Sequence, residues 1–515
     1  MRQLKFKIQY SKRILIPVFF VFLIFYTTTD AVAGTSLLKK SWIQVDTDNF
    51  VVISAMDKYK TEKLATDLEK FRFVFSMITN SAPATEKVKT YIYSFPRSIP
   101  EIGLNWTYAG LFKQLMRGNY VFLKDSGANQ NTYIIQHEYT HFMLHNHNAL
   151  EYPPWYDEGF AELLATIKIK NNKIVFGKPL KARADSLSYY GWQPYRWIIN
   201  VTNVEELKDI KVIMFYAQSW ALLHYLSFGR EGHNFTKETT KFLYLLTTGM
   251  SKDDAFEQAY SEDLETLTGK IRKYVSGKIK YLRLVPNTPF PEFSIKTEKL
   301  AKDVVASKIG YLCLINGEFK CAEEYYNESL KINPNEASSL IGLADLRKFE
   351  GKYDEAEPGY KRAIEIEPDV AMHYLDYAEY FQDRAKAAES ADEQKKWLLQ
   401  ARKFYHRSLD MDPYNPEILV QYGTTFFVNQ EEVLEGLSYL VTAHKYLPAN
   451  PQLKLALAEG YARAGMYDDA RKLAERVLSW SHTDASKAAE KFLSWLDDIE
   501  SKNNSLAGSQ INDSQ

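Results

Sequence analysis

The C-terminal half of the chain carries a sequence pattern that recurs every 34 residues. Residues 317–326 read Gly-x-Phe-x-x-Ala-x-x-x-Tyr, and residues 351–360 read Gly-x-Tyr-x-x-Ala-x-x-x-Tyr; Pro334 closes the first unit and Pro368 the second. Because such units bury their apolar faces only by stacking on one another, the pattern predicts an all-α solenoid.

The repeat resembles the tetratricopeptide repeat, in which small residues let two antiparallel helices approach closely and a proline ends each unit. Pro413 lies 45 residues after Pro368, so the third unit carries eleven inserted residues, which we assign to the charged stretch 383–394. Pro448 follows 35 residues later, and the Gly-x-Tyr-x-x-Ala of residues 465–470 marks a fifth unit. The resemblance implies a tetratricopeptide-repeat solenoid over residues 303–480 that binds a protein partner.

A second motif, His137-Glu138-Tyr139-Thr140-His141, lies in an apolar-periodic segment, residues 132–144, that predicts a helix. Positions four apart share a helix face, so both imidazoles can reach one metal ion with Glu138 beside them. Zinc suits two such ligands and keeps an open position for a water that a nearby carboxylate can deprotonate. The motif therefore predicts a zinc site with Glu138 as general base.

A further predicted helix begins after Pro153 and Pro154 and carries two carboxylates that suit a metal site. Glu158 follows His141 by 17 positions and can complete a His-His-Glu ligand set. Glu162 is one helical turn further on the same face, where a carboxylate can accept the free ring N–H of a ligand histidine. We therefore predict three metal ligands, with Glu162 behind them.

The H-E-x-x-H motif followed by W-x-x-E-G-x-A-E resembles the gluzincin metallopeptidases, the clan of thermolysin and the zinc aminopeptidases. Residues 42–52 are similar to a group of bacterial secreted peptidase-like proteins of that clan. The resemblance implies an α+β thermolysin-like zincin domain over residues 42–285, with zinc bound by His137, His141 and Glu158. It also implies hydrolysis of peptide bonds by a metal-bound water, with Glu138 as general base.

The resemblance further implies a donor for the developing oxyanion. Tyr216 is similar to the tyrosine of the Y-x-K-G run of gluzincin aminopeptidases, although the run here is Tyr-Ala-Gln-Ser. His224 is the alternative, by similarity to the thermolysin-type histidine. Residues 106–110 depart from the G-x-M-x-N type motif that captures a free amino terminus in zinc aminopeptidases, so we expect an endopeptidase.

Two other interpretations of the histidines stay open. One is an ordinary helix with two histidines on one face. The other is a metzincin, because His147 falls at the third-histidine spacing of that class. A metzincin needs glycine where Leu144 stands, and leucine continues a helix rather than reversing the chain. His145 and His147 then suit a helix end, where a protonated imidazole is favourable.

The charge balance and the cysteine content exclude several classes of partner, fold and metal site. Lys and Arg total 64 against 65 Asp and Glu, which argues against nucleic acid or an anionic membrane surface as a partner. Cys313 and Cys321 are the two cysteines of the chain, so a disulfide-built fold and a multi-cysteine zinc site are excluded. The two thiols can pair in an exported protein, or they can be buried and free.

Residues 1–33 have the composition of a signal peptide. A basic stretch precedes the apolar core 14–26, and Ala31-Val32-Ala33 supplies a small-x-small cleavage signature. The core is short for a transmembrane helix, which needs about 20 apolar residues. We therefore expect cleavage and export to the periplasm or the extracellular space, with membrane association only if the segment stays uncleaved.

Between the signal peptide and the repeats, the sequence predicts mixed α/β structure. Residues 48–54, 88–94 and 119–123 have strand-like content, and residues 61–79 have a helical period. In gluzincins the strand before the zinc helix can pair with an extended substrate, so residues 119–123 are a candidate for binding by strand addition. A proline-rich run predicts a linker at 286–302, and residues 481–515 predict a terminal helix with a disordered tail after Glu500.

Two functions are consistent with these features. The first is an exported zinc metallopeptidase whose solenoid recruits a protein substrate. The second is a catalytically inactive peptidase-like protein that acts as a binding or assembly scaffold through its repeats. The intact Glu138 favours the first, since a decayed site would be expected to lose its base first.

Overall fold

The computed structural model describes residues 35–79, 88–96, 99–103, 110–124, 128–147, 152–204, 206–287, 289–428, 432–480 and 484–512. The strands are β1 (Ile43–Asp46), β2 (Phe50–Ser54), β3 (Thr90–Phe95), β4 (Gly110–Leu115), β5 (Gly118–Lys124), β6 (Lys168–Lys170), β7 (Lys173–Phe176), β8 (Leu282–Leu284) and β9 (Lys296–Lys299). The predicted signal peptide lies outside the described residues and stays a prediction.

The helices fall before and within the repeats. Before the repeats they are α1 (Lys58–Thr79), α2 (Ala128–His147), α3 (Pro154–Leu164), α4 (Lys181–Tyr190), α5 (Tyr195–Asn200), α6 (Ile210–His224), α7 (Phe235–Thr247), α8 (Lys252–Tyr260) and α9 (Leu264–Ser276). In the C-terminal part they are α10 (Lys302–Ile315), α11 (Phe319–Ile332), α12 (Ala337–Phe349), α13 (Tyr353–Ile366), α14 (Ala371–Ala387), α15 (Ala391–Met411), α16 (Pro416–Thr424), α17 (Val433–Tyr446), α18 (Pro451–Arg463), α19 (Tyr467–Trp480) and α20 (Asp484–Asn512).

The chain divides into two compact units that interleave along the sequence. The first comprises residues 1–62, 84–125 and 295–515, and the second comprises residues 63–83 and 126–294. The sequence predicts a peptidase-like domain over 42–285 and a linker at 286–302, whereas the first unit groups the N-terminal strands with the solenoid. Strand β9 lies inside the predicted linker and pairs with β1, which is one reason for this grouping.

A six-stranded sheet forms one part of the first unit. Its order is β4-β5-β3-β2-β1-β9, with β2, β3 and β5 parallel to one another and the remaining pairs antiparallel. The strands predicted at residues 48–54, 88–94 and 119–123 are confirmed as β2, β3 and β5. Central strands of this kind are buried on both faces, as the continuous burial of β2 and β5 indicates.

Strand β5 is an interior strand, which corrects the prediction of substrate binding by strand addition at residues 119–123. Asn119 to Leu123 pair with β3 on one side and with β4 on the other. Both hydrogen-bonding edges of β5 are therefore already used. Strand addition needs a free edge, and in this sheet the outer strands are β4 and β9.

The sheet and the first repeat share one hydrophobic core. Trp42, Val51 and Phe122 from the strand region lie in the same buried cluster as Ile309 and Leu312 of α10. Burial of large apolar side chains contributes roughly 1.5–3 kcal/mol each. This shared core explains why the strands and the solenoid form a single compact unit.

Helices α10 to α19 form five consecutive antiparallel pairs, as the repeat pattern predicts. Close helix packing depends on small residues: a Cβ on Gly342 of α12 would clash with the Tyr326 ring of α11. Helices α14 and α15 are 17 and 21 residues long, against 13 and 14 for α12 and α13. The inserted residues of the third unit therefore lengthen its two helices.

Two further features of the C-terminal part were open from the sequence. Cys313 and Cys321 form a disulfide between α10 and α11, with their Cα atoms 5.7 Å apart. Helix α20 runs over Asp484–Asn512, which includes much of the segment after Glu500 for which the sequence predicts disorder. Polar residues such as serine and lysine cost a helix well under about 1 kcal/mol each, so a polar composition does not by itself prevent a helix.

In the part of the chain that the structure describes, no helix has the length and apolar content needed to cross a bilayer.

The second unit is built mainly from helices α2 to α9, with a small antiparallel sheet of order β6-β7-β8. Large aromatic residues form its core: Trp155 of α3 packs edge-to-face against Phe256 and Tyr260 of α8. Helix α6 is buried along most of its length, with Trp220 fully enclosed. These contacts fix α3 and α6, which carry side chains of the candidate site.

Candidate metal centre

Helix α2 brings the two histidines of the H-E-x-x-H motif together. Its apolar residues Ile135, Tyr139 and Phe142 are buried and anchor it in the second unit. The Nε2 atoms of His137 and His141, four positions apart, lie 3.3 Å from each other. The helix predicted over residues 132–144 is therefore confirmed, and its two imidazoles are neighbours.

Helix α3 carries Glu158. Pro154 occupies its first turn, where the missing N–H has no helical partner to lose and the fixed φ favours the helix. A Cβ on Gly159 would lie 2.6 Å from the carbonyl oxygen of Ser219, so only glycine allows α3 to approach α6 this closely. Glycine at this position lets Glu158 lie beside Tyr216 of α6, whose hydroxyl donates to Glu158 Oε1 at 3.0 Å.

Three predicted ligand atoms converge on one point. Glu158 Oε2 lies 3.4 Å from His137 Nε2 and 3.4 Å from His141 Nε2. That oxygen is buried and has no hydrogen-bond partner among the described residues. A buried charged oxygen needs a neighbouring positive charge, and at this position either a protonated imidazole or a cation bound by all three atoms supplies it.

The spacing of these atoms matches zinc. Zinc–nitrogen and zinc–oxygen bonds are about 2.0–2.2 Å long, so two ligand atoms at tetrahedral positions are separated by roughly 3.3–3.5 Å. The three observed separations of 3.3, 3.4 and 3.4 Å fall in that range. Two imidazoles and one carboxylate are also a donor set that zinc prefers. The chain therefore fits a zinc ion at His137, His141 and Glu158.

Asp157 fixes the orientation of His141. Its Oδ1 accepts a hydrogen bond from His141 Nδ1 at 2.7 Å, and its Oδ2 lies 3.0 Å from His145 Nε2. A proton on His141 Nδ1 leaves Nε2 as the atom with a lone pair, directed at the converging ligands. Asp157 is not among the residues predicted from the sequence; its position next to Glu158, a predicted ligand, is the signal that could have identified it.

Glu162 lies beside His137 but makes no hydrogen bond to it. Its Oε1 is 4.0 Å from His137 Nδ1, and that nitrogen has no hydrogen-bond partner in the described part of the chain. Tyr133 and Arg183 donate hydrogen bonds to the two Glu162 oxygens instead. The hydrogen bond predicted between a ligand histidine and Glu162 is not formed at this separation, and the role of Glu162 behind the ligands stays a prediction.

The two candidates for the oxyanion donor have different surroundings. Tyr216 lies at the ligand cluster, where its hydroxyl donates to Glu158. His224 is buried elsewhere in the second unit, with Nε2 2.7 Å from the Gly177 carbonyl oxygen and Nδ1 2.9 Å from the Tyr274 hydroxyl. Burial lowers the pKa of His224 to about 4. His224 is therefore a packed core residue, and the prediction that it donates to an oxyanion is not supported.

Electrostatic interactions keep the carboxylates of the cluster ionised. Burial disfavours the charged form of Glu158, but His141 and His137 outweigh it and hold the pKa of that carboxyl well below its usual range. Burial also disfavours the charged form of Asp157, but the neighbouring His141 and His145 outweigh this effect and lower the pKa of its carboxyl. Burial also disfavours a charged imidazole, yet Asp157 and Glu158 raise the pKa of His141 to about 10. A metal ion on His141 would therefore displace a proton.

Helix α2 does not make the chain reversal that a metzincin needs. Leu144 continues α2, which runs without reversal to His147. The groups of metal-type ligands among the described side chains combine His137, His141 and Glu158, or His141, His145 and Asp157. His145 lies near the end of α2, as predicted, and also contacts Asp157.

The comparisons with known proteins concern the repeats. Residues 307–336 and 337–370 match the family model of the tetratricopeptide repeat. The repeats are tetratricopeptide repeats. No curated protein matches the chain. The residues matched by the family model do not include the histidine motif, so the resemblance to gluzincins stays a prediction.

Several solved structures are similar to the repeat region. A thermophilic tetratricopeptide-repeat protein of Thermus thermophilus is 21% identical, with 37% of this chain and 98% of that chain covered and a TM-score of 0.34. The pilF protein of Pseudomonas aeruginosa is 15% identical, with 41% and 89% covered and a TM-score of 0.31. YrrB, a tetratricopeptide-repeat protein with an unusual peptide-binding site, is 14% identical, with 37% and 92% covered and a TM-score of 0.27.

Proposed function

We propose that the chain is a zinc-dependent metallopeptidase in which His137, His141 and Glu158 hold the metal. The observation that carries this proposal is the convergence of two imidazole nitrogens and one buried, otherwise unpartnered carboxylate oxygen at zinc-ligand spacing. An ordinary helix with two histidines on one face does not explain why Glu158 of a second helix faces both imidazoles.

Other residues at the site have separate roles as general base and in positioning the metal ligands. Glu138, partly exposed and adjacent to His137 on α2, is the general base of the proposal. Asp157 orients His141, and Tyr216 holds Glu158 by the oxygen that does not face the histidines. When bound, zinc supplies Lewis acidity and an open coordination position. We retain Tyr216 as a candidate oxyanion donor because it is already beside the ligand set.

The substrate class of the proposal is protein or peptide, cleaved as an endopeptidase. Residues 106–110 depart from the aminopeptidase motif for a free amino terminus, which supports internal cleavage. We propose export to the periplasm or the extracellular space on the composition of residues 1–33. The pairing of Cys313 with Cys321 supports this location, since structural disulfides persist in oxidising compartments.

A second candidate function is a binding or assembly scaffold with an inactive metal site. The tetratricopeptide repeats favour it, because repeat solenoids provide extended surfaces for protein partners. Both candidates include protein recognition, and they differ in whether Glu138 takes part in chemistry.

Cleavage by matched variants tests the proposal. The wild-type chain, Glu138→Gln and an exposed control, Glu265→Gln, are incubated with casein and a peptide library, with and without a zinc chelator. We expect Glu138→Gln to keep zinc and lose turnover by about two orders of magnitude or more, because it removes the base and keeps the shape. Chelation should abolish cleavage by the wild type.

Other outcomes separate the two candidate functions. Cleavage that Glu138→Gln leaves unchanged means that the measured activity does not come from this site. Zinc bound by the wild type without any cleavage across the library favours the scaffold.

A further inference from the structure

The turn between β4 and β5 inserts an arginine between two repeats of the solenoid. Arg117 Nη2 lies 2.7 Å from Asp376 Oδ1 of α14, and Arg117 Nε lies 2.9 Å from Glu417 Oε2 of α16. The side chains of Asp376 and Glu417 are only 7% and 12% exposed. One guanidinium thus joins the first helices of the third and fourth repeats.

The surroundings of Arg117 are rich in carboxylates. Glu379 lies one helical turn from Asp376 on α14, and burial together with the charges of Glu417 and Asp376 raises the pKa of Glu379 to about 8, although Lys348 and Arg117 oppose this. Lys348 lies within 4 Å of Asp345 and of Asp383, so it compensates a different pair of acids. Arg117 is therefore the cation that pairs directly with Asp376 and Glu417.

A second polar contact joins the same strand pair to the first repeat. Lys113 of β4 donates to the carbonyl oxygen of Ile315 and lies 3.3 Å from Asn316 Oδ1, at the end of α10. The Tyr120 ring of β5 packs against the Tyr311 ring of α10 with centroids 5.7 Å apart. The β4–β5 hairpin therefore contacts the first, third and fourth repeats of its own solenoid.

These contacts lie on the face formed by the first helices of the repeats, namely α10, α12, α14, α16 and α18, which we call the first-helix face. Repeat solenoids use extended faces of this kind to bind partners. We propose that the resident ligand of this face is the chain's own β4–β5 hairpin, and that Asp376 and Glu417 form a guanidinium-recognition site filled by Arg117. An external peptide cannot occupy this part of the first-helix face while the hairpin is bound.

The geometry suits arginine better than lysine. A guanidinium presents several N–H donors in a rigid planar fork, and here Nη2 and Nε point to carboxylates on two different helices. A lysine ammonium carries the same charge at a single point and cannot reproduce both contacts without moving. Removing the arginine leaves two largely buried carboxylates unpaired, which is strongly unfavourable. The proposal does not depend on the metal centre.

Hydrogen–deuterium exchange of the full chain tests the proposal. We compare the wild type, Arg117→Ala, Arg117→Lys and an exposed control, Arg362→Ala. In Arg117→Ala we expect exchange of the backbone amides of residues 110–124 to rise about tenfold or more, with α19 unchanged. Arg117→Lys should give an intermediate rise, and Arg362→Ala none.

Chemical rescue distinguishes recognition of a guanidinium from a general charge effect. Ethylguanidinium replaces the part of the arginine side chain that Arg117→Ala removes, so millimolar ethylguanidinium should restore slow exchange in that variant. Sodium chloride at the same ionic strength should not. Exchange of residues 110–124 at the wild-type rate in Arg117→Ala overturns the proposal, and so does equal rescue by sodium chloride. If Arg117→Ala does not fold, Arg117→Lys decides: faster exchange of the hairpin supports the proposal, and the wild-type rate overturns it.

Discussion

Asp157 Oδ1 accepts a hydrogen bond from His141 Nδ1 at 2.7 Å, which fixes the ring so that its other nitrogen faces His137 and Glu158. Orientation of a ligand histidine by a carboxylate typically contributes roughly 10–100-fold to metal affinity. We therefore expect Asp157→Asn to weaken zinc binding by about 10–100-fold, measured by competition with a chromophoric chelator.

Two comparison variants sharpen this prediction. Glu162→Gln should weaken zinc binding less than Asp157→Asn, because Glu162 makes no hydrogen bond to a ligand histidine. Asp185→Asn, on the exposed face of α4, should have no effect. A larger loss in Glu162→Gln than in Asp157→Asn would contradict the assignment of the orienting carboxylate.

Tyr216→Phe tests whether the hydroxyl positions Glu158 or stabilises an oxyanion. Because the hydroxyl donates to Glu158, we expect zinc affinity to fall by about tenfold, the scale of one hydrogen bond to a charged group. Turnover at saturating zinc should change little, and Tyr244→Phe, an exposed residue, serves as control. Unchanged affinity with turnover reduced by about 100-fold would instead identify Tyr216 as the oxyanion donor.

The helices of the site could be predicted from sequence, but the contacts between them could not. Spacing along α2 and α3 identifies His137, His141 and Glu158, because helix periodicity decides which residues share a face. The hydrogen bond from His141 goes to Asp157, whereas Glu162 accepts hydrogen bonds from Tyr133 of α2 and Arg183 of α4. Nothing in local spacing reveals these partners.

The same limit applies to the first unit. The repeat pattern predicts five helix pairs, since each unit has its own proline and small residues. It does not predict that Arg117 contacts Asp376, a residue 259 positions away. Likewise, strand-like content identifies residues 119–123 as a strand. That this strand is interior follows from its pairing with β4, which depends on the strand order of the sheet.

We predict that Glu379 makes the stability of the first unit depend on pH. Its pKa is raised from the ordinary 4.5 to about 8, so the folded chain binds a proton that the unfolded chain releases. Stability therefore falls as pH rises from about 4.5 to about 8. Glu379→Gln removes this loss, and we expect a higher melting temperature than the wild type at pH 8 with little difference at pH 5. An increase of the same size at both pH values would contradict this origin, and exposed Glu365→Gln is the control.

The Cys313–Cys321 disulfide should stabilise the first repeat. A cross-link over about eight residues restricts the unfolded chain by about 2–3 kcal/mol in the chain-entropy account. We expect Cys313→Ser with Cys321→Ser to lower the free energy of unfolding by this amount in urea titrations. Dithiothreitol should reproduce the loss in the wild type and add nothing in the double variant. An unchanged unfolding midpoint in both cases would show that the bridge does not contribute.

The metal content of the purified chain tests the central claim most directly. We predict one zinc per chain in the wild type by inductively coupled plasma mass spectrometry, and loss of that zinc in His141→Ala while the far-ultraviolet circular dichroism of the helices is retained. A folded wild type that takes up no zinc when the ion is supplied would contradict the account, and so would full zinc occupancy in His141→Ala.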